Sequence, residues 1–257
     1  MRTLNVTRYV TPLREGGSLP AIVEADDDGL YVLKFRGAGQ GPKALIAELV
    51  AGELARLLGL PVPEIVFMHL DPELARTEPD PEIQDLIRAS DGLNLGMDYL
   101  PGAVAFDALA MQPDATLASQ IVWFDALVGN VDRTPRNVNM LVWHRRLWLI
   151  DHGAALIFHH QWGDPLRRAG EPFARIAEHA LLPWARALPQ ADAVLAERLD
   201  AAAVAAVVQR IPDDWLLPDA AFADAAAQRD AYLQYFRARL AAPRAFATFA
   251  ENAHAAL

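Results

Sequence analysis

Residues 127–153 read LVGNVDRTPRNVNMLVWHRRLWLIDHG. An apolar helical segment runs into a polar loop that holds Asp132 and, five residues on, Asn137. Two short apolar runs follow, NMLVW at 139–143 and RLWLI at 146–150, with the polar turn His144-Arg145-Arg146 between them. That pattern predicts a β-hairpin. A hairpin returns the chain to where it began, so Asp151, in Asp151-His152-Gly153, is expected beside Asn137. The stretch then offers one carboxylate, Asp132, to position a nucleophile. It also offers an amide and a carboxylate, Asn137 and Asp151, to hold Mg²⁺. Magnesium takes a few hard oxygen ligands together with substrate phosphates. Phosphoryl transfer from ATP asks the protein for little beyond such positioning and charge stabilisation.

This layout resembles the catalytic loop and metal-binding Asp-x-Gly of protein kinases, in which an Asp, an Asn five residues later, a hairpin and a second Asp recur. Asn130-Val131 before the Asp, and His152 where Phe is usual, depart from the common wording. Those departures resemble the HipA-like kinase family, which is distantly similar to phosphoinositide kinases. The resemblance implies an α+β, two-lobed protein-kinase-like fold with ATP and Mg²⁺ as cofactors. It divides the chain into a small mixed sheet-and-helix N-lobe at 1–96, a hinge at 97–102 and a mainly helical C-lobe at 103–257. Asp132, Asn137 and Asp151 become the catalytic residues, and Asn137 and Asp151 the metal ligands.

The N-terminal pattern agrees with that division. Residues 21–25 and 30–35 read as strands joined by the turn Asp26-Asp27-Asp28-Gly29. Residues 44–58 carry the apolar spacing of a helix, ended by Gly59 and barred from continuing by Pro61 and Pro63. Residues 65–70 and 93–100 read as strands, and 71–91, rich in Pro and Glu, as a surface excursion. Helical patterns follow at 117–128, 173–187, 191–211 and 219–240, punctuated by prolines.

Strand alternation puts Lys34 on the face of Val32, opposite Leu33 and Phe35. There it matches the kinase lysine that contacts ATP phosphates, with Glu48 on the following helix as its partner and Glu53 as the alternative. The resemblance favours Glu48 and places a phosphate-covering loop at Gly16, Gly17 and Ser18. It assigns adenine to main-chain groups around Met97, Tyr99 and Leu100, between aliphatic walls from Ile22, Val32, Met140 and Ile150. Lys43 is read as either a γ-phosphate contact or part of a flexible surface loop. For Arg133 and Arg136 the readings are a phosphate or acidic-substrate contact, or a surface salt bridge.

Only two of the 23 basic residues are lysines, Lys34 and Lys43, which draws attention to both. A net charge of −10 argues against nucleic acid as the main ligand, since phosphate neutralisation needs a basic face. With no cysteine there is neither a disulfide framework nor a thiolate metal site. No segment approaches the ~20 apolar residues of a membrane span, and the first residues lack a signal-peptide core, so a cytoplasmic protein is expected. The histidines lack a zinc frame, and there is no GxSxG elbow for a serine hydrolase.

These features predict a HipA-like phosphotransferase acting on Ser or Thr of a protein. The alternatives are a small-molecule or lipid-headgroup kinase on the same fold, and a pseudokinase that binds nucleotide without turnover. The room before Arg14 is too small for the extra N-terminal subdomain of HipA toxins, which weighs against a toxin role and an antitoxin partner.

Overall fold

The structure, a computed structural model, describes residues 1–13, 19–39, 41–216 and 221–257. Five strands close into a barrel in the order β1 (Thr3–Pro12), β2 (Ala21–Ala25), β3 (Leu30–Lys34), β5 (Gly92–Asp98) and β4 (Ile65–Leu70). Neighbours run antiparallel except β1 and β4, which meet in parallel at Thr3↔Phe67 and close the ring. Period-2 alternation gives each strand an inner and an outer face. Val23, Leu33, Val66 and Met68 fill the barrel. Ile65, Leu95 and Met97 point outward into a second, larger core.

α1 (Pro42–Leu57) lies in that larger core and is buried without interruption from Leu45 to Ala55. It can come this close to β4 because Gly52 lacks a Cβ. An added one would stand 2.3 Å from Ile65 Cδ1. Pro42 starts the helix, where its missing N–H costs no hydrogen bond.

Residues 71–91 are not a surface excursion. A 3₁₀ turn (Pro72–Thr77) and α2 (Pro81–Ala89) occupy them, each capped by an aspartate, Asp71 and Asp80, that accepts a main-chain N–H. Ile83 and Ile87, one helical turn apart, pack into the barrel core. β1 is likewise absent from the sequence reading. Its partners run from Pro12↔Ala21 to Val6↔Ala25 on one side and lie beyond Ile65 on the other, and only the closed ring reveals it.

The rest of the chain is mainly helical, with one small sheet. β6 (Val104–Ala105) pairs with β7 (Met140–Trp143), and β7 with β8 (Arg146–Leu149), giving the hairpin the sequence implied. His144 and Arg145 both have positive φ, the geometry that suits a two-residue hairpin turn. α3 (Ala115–Val128) is capped by Asp114 and stops at Gly129, which adopts the left-handed conformation.

α4 (Pro165–Ala169), α5 (Leu188–Arg198), α6 (Ala201–Val208), α7 (Ala225–Leu240) and α8 (Ala245–Ala255) complete it. The expected helix at 173–187 is two short 3₁₀ turns, and 191–211 is broken at Leu199 between α5 and α6. The pattern at 219–240 becomes α7 from Ala225 onward, while α8 goes unpredicted. Trp215 ties the helical part to the barrel: its Nε1 donates to the Leu93 carbonyl at 3.1 Å, and its ring meets Phe67 edge-on. No helix among the described residues is long and apolar enough to cross a membrane.

Candidate active site

Strand parity decides where Lys34 points. It lies two residues after Val32, on the outer face that carries Met97 and Leu95, and so reaches the larger core. Its Nζ sits 2.5 Å from Glu48 Oε2 and 2.5 Å from Asp151 Oδ1. The lysine is largely buried and Glu48 almost wholly so, while Asp151 is 44% exposed. Burial by itself would push the Lys34 ammonium to lose its proton, but Glu48 and Asp151 outweigh it and raise its pKa. Burial would likewise raise the Glu48 carboxyl. The Lys34 charge prevails and holds it well below the usual carboxylate range.

The choice between Glu48 and Glu53 follows from helix geometry. Five residues rotate a side chain by about 140° around a helix at 3.6 residues per turn. Glu53 therefore faces elsewhere and pairs with Arg210 and, at 3.6 Å, with Arg56. Only Glu48 meets Lys34.

His152 is fully buried, edge-on to Phe124 of α3 with ring centroids 6.2 Å apart. Its Nδ1 stands 3.5 Å from Glu48 Oε1. Asp151 holds a positive φ of 56°, which Asp tolerates better than most residues.

The loop after α3 is held by side chains from both of its ends. The Asn130 side-chain oxygen accepts the Asp132 N–H at 3.1 Å. Asp132 Oδ2 accepts from Asn137 Nδ2 at 2.8 Å and from Asn139 Nδ2 at 3.2 Å. Thr134 and Asn137 exchange main-chain hydrogen bonds, making a tight turn of Pro135-Arg136. The hairpin does bring the chain back, with the Ile150 N–H donating to the Asn139 carbonyl at 3.1 Å. Asn137 turns its amide nitrogen to Asp132, and Asp151 turns one carboxylate oxygen to Lys34.

Arg133 is not a surface residue. It is 1% exposed, and its Nε donates to Asp125 Oδ2 at 2.6 Å. Its other arm reaches the carbonyls of Asn139 and, at 3.4 Å, Ile150. Asp125, fully buried on α3, also accepts from Asn130 Nδ2 at 3.0 Å and pairs with His179 Nε2 at 2.9 Å. The Leu181 N–H donates to His179 Nδ1, so the neutral ring carries its proton on Nε2 and donates it to Asp125. Burial, helped by the Arg133 charge, lowers the His179 pKa against the pull of Asp125 and favours that neutral ring. Burial would raise the Asp125 carboxyl, but Arg133 and His179 hold it well below the carboxylate range.

Arg136 is exposed at the loop tip. Lys43 is neither loose nor on a surface loop: in the first turn of α1, it donates to the His159 carbonyl at 2.7 Å. Met97 lies beside Val32, and Val32 beside Ile22, in one row across the outer barrel face. Met140 is buried, whereas Ile22, Val32 and Ile150 are half-buried. The N–H groups of Asp98 and Tyr99 are taken by the carbonyls of Glu64 and Leu30. Gly16, Gly17 and Ser18 lie outside the described residues.

Sequence reasoning missed Asp125, Asn139 and His179, and gave Asn130 no role. Asp125 had a signal, as a lone acid inside the apolar run IVWFDALV. Asn139 and His179 had none.

A profile described as HipA-like kinase matches residues 6–243. Among solved structures, the proinflammatory kinase CtkA of Helicobacter pylori superposes with a TM-score of 0.58 at 13% identity, covering 99% of each chain. A Golgi casein kinase with Mn/ADP bound gives 0.49 at 13% identity, over 95% of this chain and 75% of the other. No curated protein matches the sequence. At such identities the likeness is one of fold.

Proposed function

The chain belongs to the HipA-like kinase family, and we propose that it transfers the γ-phosphoryl group of ATP, with Mg²⁺, to a Ser or Thr hydroxyl of a protein. One observation carries the reading: Lys34 bonds both to Glu48 on α1 and to Asp151, 117 residues further along the chain from Lys34. A buried ion pair is often no more stabilising than apolar groups of the same volume. A charged ammonium fixed beside a half-exposed carboxylate is better explained by a phosphate that both groups serve.

In this reading Lys34 contacts the ATP phosphates and Glu48 holds it in place. Gly16, Gly17 and Ser18 cover the phosphates. Adenine lies against Ile22, Val32, Met97, Met140 and Ile150, bonded by the Tyr99 carbonyl and the Leu100 N–H, which lie outside the sheet bonds of the two preceding amides. This divides the chain into the lobes 1–96 and 103–257 with the hinge at 97–102. Use of ATP fits a cytoplasmic setting.

The residues at the metal position have suitable chemistry. Asp151 has one oxygen on Lys34, and no bond to the other is recorded among the described residues. Asn137 spends its N–H on Asp132 and keeps its oxygen. Both supply the hard donors Mg²⁺ prefers. When bound, the ion would neutralise phosphate charge.

Asp132 Oδ2 takes both asparagine amides, which leaves Oδ1 for the acceptor hydroxyl. The hydroxyl oxygen bonds to the γ-phosphorus and its proton passes to Asp132. The bond from that phosphorus to the β,γ-bridging oxygen breaks, and ADP leaves.

The test is purified protein with γ-labelled ATP and a host lysate, with and without Mg²⁺, beside Asp132→Ala. Label on protein Ser or Thr that needs both Mg²⁺ and Asp132 is expected. Label only on lipid or small alcohols would move the acceptor class. ATP binding without transfer to any acceptor would overturn the reading.

A further inference from the structure

We infer that Asp125 and His179 form a buried positioning centre that sets the geometry of both acids of the site, Asp132 and Asp151. The inference rests on the phosphotransferase reading above. Asp125 gathers three donors from two parts of the chain: Asn130 and Arg133 in the loop, and His179 forty-seven residues beyond Asp132. Each loop partner then acts on the site. Asn130 uses its amide nitrogen on Asp125 and its oxygen on the Asp132 N–H. Arg133 holds the carbonyl of Asn139, whose side chain reaches the carboxylate and carbonyl of Asp132. The same guanidinium reaches the Ile150 carbonyl, one residue before Asp151.

Asp132 is therefore fixed at its N–H, two hydrogen bonds from one buried carboxylate, and at its carbonyl and carboxylate, three hydrogen bonds from it. His179 is the outside strut. Besides its bond to Asp125, its neighbour Ala180 donates to the Arg133 carbonyl at 3.0 Å. Its segment thus grips the loop through main chain and side chain at once. Neither residue touches a reacting atom, so both are positioning residues. Apart from Arg133 Nη2, which has no hydrogen-bond partner among the described residues, the side-chain donors of this network are bonded. Buried polar networks rigidify as their members are satisfied, and small misplacements of a catalytic group cost rate steeply.

Two variants one methylene apart separate positioning from packing. His179→Asn keeps an oxygen that can accept the Leu181 N–H but is too short to reach Asp125. His179→Gln reaches it. Hydrogen exchange of the peptide 129–140 and transfer kinetics are measured where all variants are folded. The expected result is exchange about tenfold faster in His179→Asn, kcat lower by about tenfold or more and the KM for ATP within about twofold, at the scale of geometric misalignment. His179→Gln is expected within about threefold of the parent by the same measures.

Asp125→Asn, which keeps shape and removes charge, gives the second reading and should speed exchange in the same peptide. It decides the matter should His179→Asn fail to fold. Parental exchange in the folded Asp125→Asn and His179→Asn variants would overturn the inference, as would equal losses in Asn and Gln. A parent without transfer activity, together with faster exchange in His179→Asn, would reject the kinase reading and leave the positioning centre standing.

Discussion

Replacing Lys34 by Met tests the site through stability as well as catalysis. Read as a strand lysine alone, Lys34 would be expected to tolerate Met without loss of stability. The structure gives a different answer, because Glu48 is 1% exposed and, among the described residues, Lys34 is the one lysine or arginine paired with it. Removing one partner of a buried pair costs roughly 3–5 kcal/mol when the other stays charged. Glu48 has an escape, which is to bind a proton.

From an ordinary carboxyl value of 4.5, staying protonated at pH 7 costs about 3.4 kcal/mol at 1.36 kcal/mol per unit. That figure caps the cost of the orphaned charge at pH 7, over and above the lost attraction to Lys34, and at pH 5 the same arithmetic leaves about 0.7 kcal/mol. The sign follows from the two proteins' carboxyls. In the parent, Glu48 is depressed, so its contribution is present above pH 4.5 and fades as pH falls through the folded value. In the variant the Lys34 charge no longer opposes burial, the folded value rises, and stability declines as pH climbs above 4.5. Urea unfolding of parent and variant at pH 5 and pH 7 measures the gap. A gap that widens by about 2–3 kcal/mol between the two is expected. An equal gap at both would show that Glu48 is not held by Lys34 and would undo the bridge on which the functional reading rests.

Glu53→Gln is the control for that experiment: its Arg210 partner is 38% exposed, so about 1 kcal/mol or less is expected with transfer unchanged. Unfolding and a transfer assay on one preparation check both. Asp132→Ala should bind Mg·ATP like the parent while losing transfer by about 10²-fold or more, the scale of general acid–base contributions. Titration calorimetry beside the transfer assay decides it, and lost binding in a folded protein would move Asp132 into the metal shell. Asp151→Asn should remain folded, because its side chain is half exposed, yet lose Mg²⁺-dependent transfer. Near-parental turnover would remove Asp151 from the metal site.

What the sequence determined by itself was local. The five-residue spacing of Asp132 and Asn137, the hairpin to Asp151, the parity of Lys34 and the start and stop of α1 are periodicities and turn signals carried by neighbouring residues. α2 was legible too, in Asp80-Pro81 and the Ile83/Ile87 pair, but its Pro- and Glu-rich surroundings concealed it. The tertiary structure decided everything that depends on distant chain meeting. β1 exists as a strand because β2 and β4 offer it edges, and 3₁₀ turns replace a helix at 173–187 where the segment folds against the loop after α3. Glu48 rather than Glu53 meets Lys34 because helix rotation, once α1 is docked, turns only one of them to the barrel. Arg133 looked like a surface arginine beside an acid, and only the fold shows Asp125 beneath it and His179 arriving from far along the chain. A buried charge is settled by its partners, and those partners lie too far apart in sequence for any local pattern to carry.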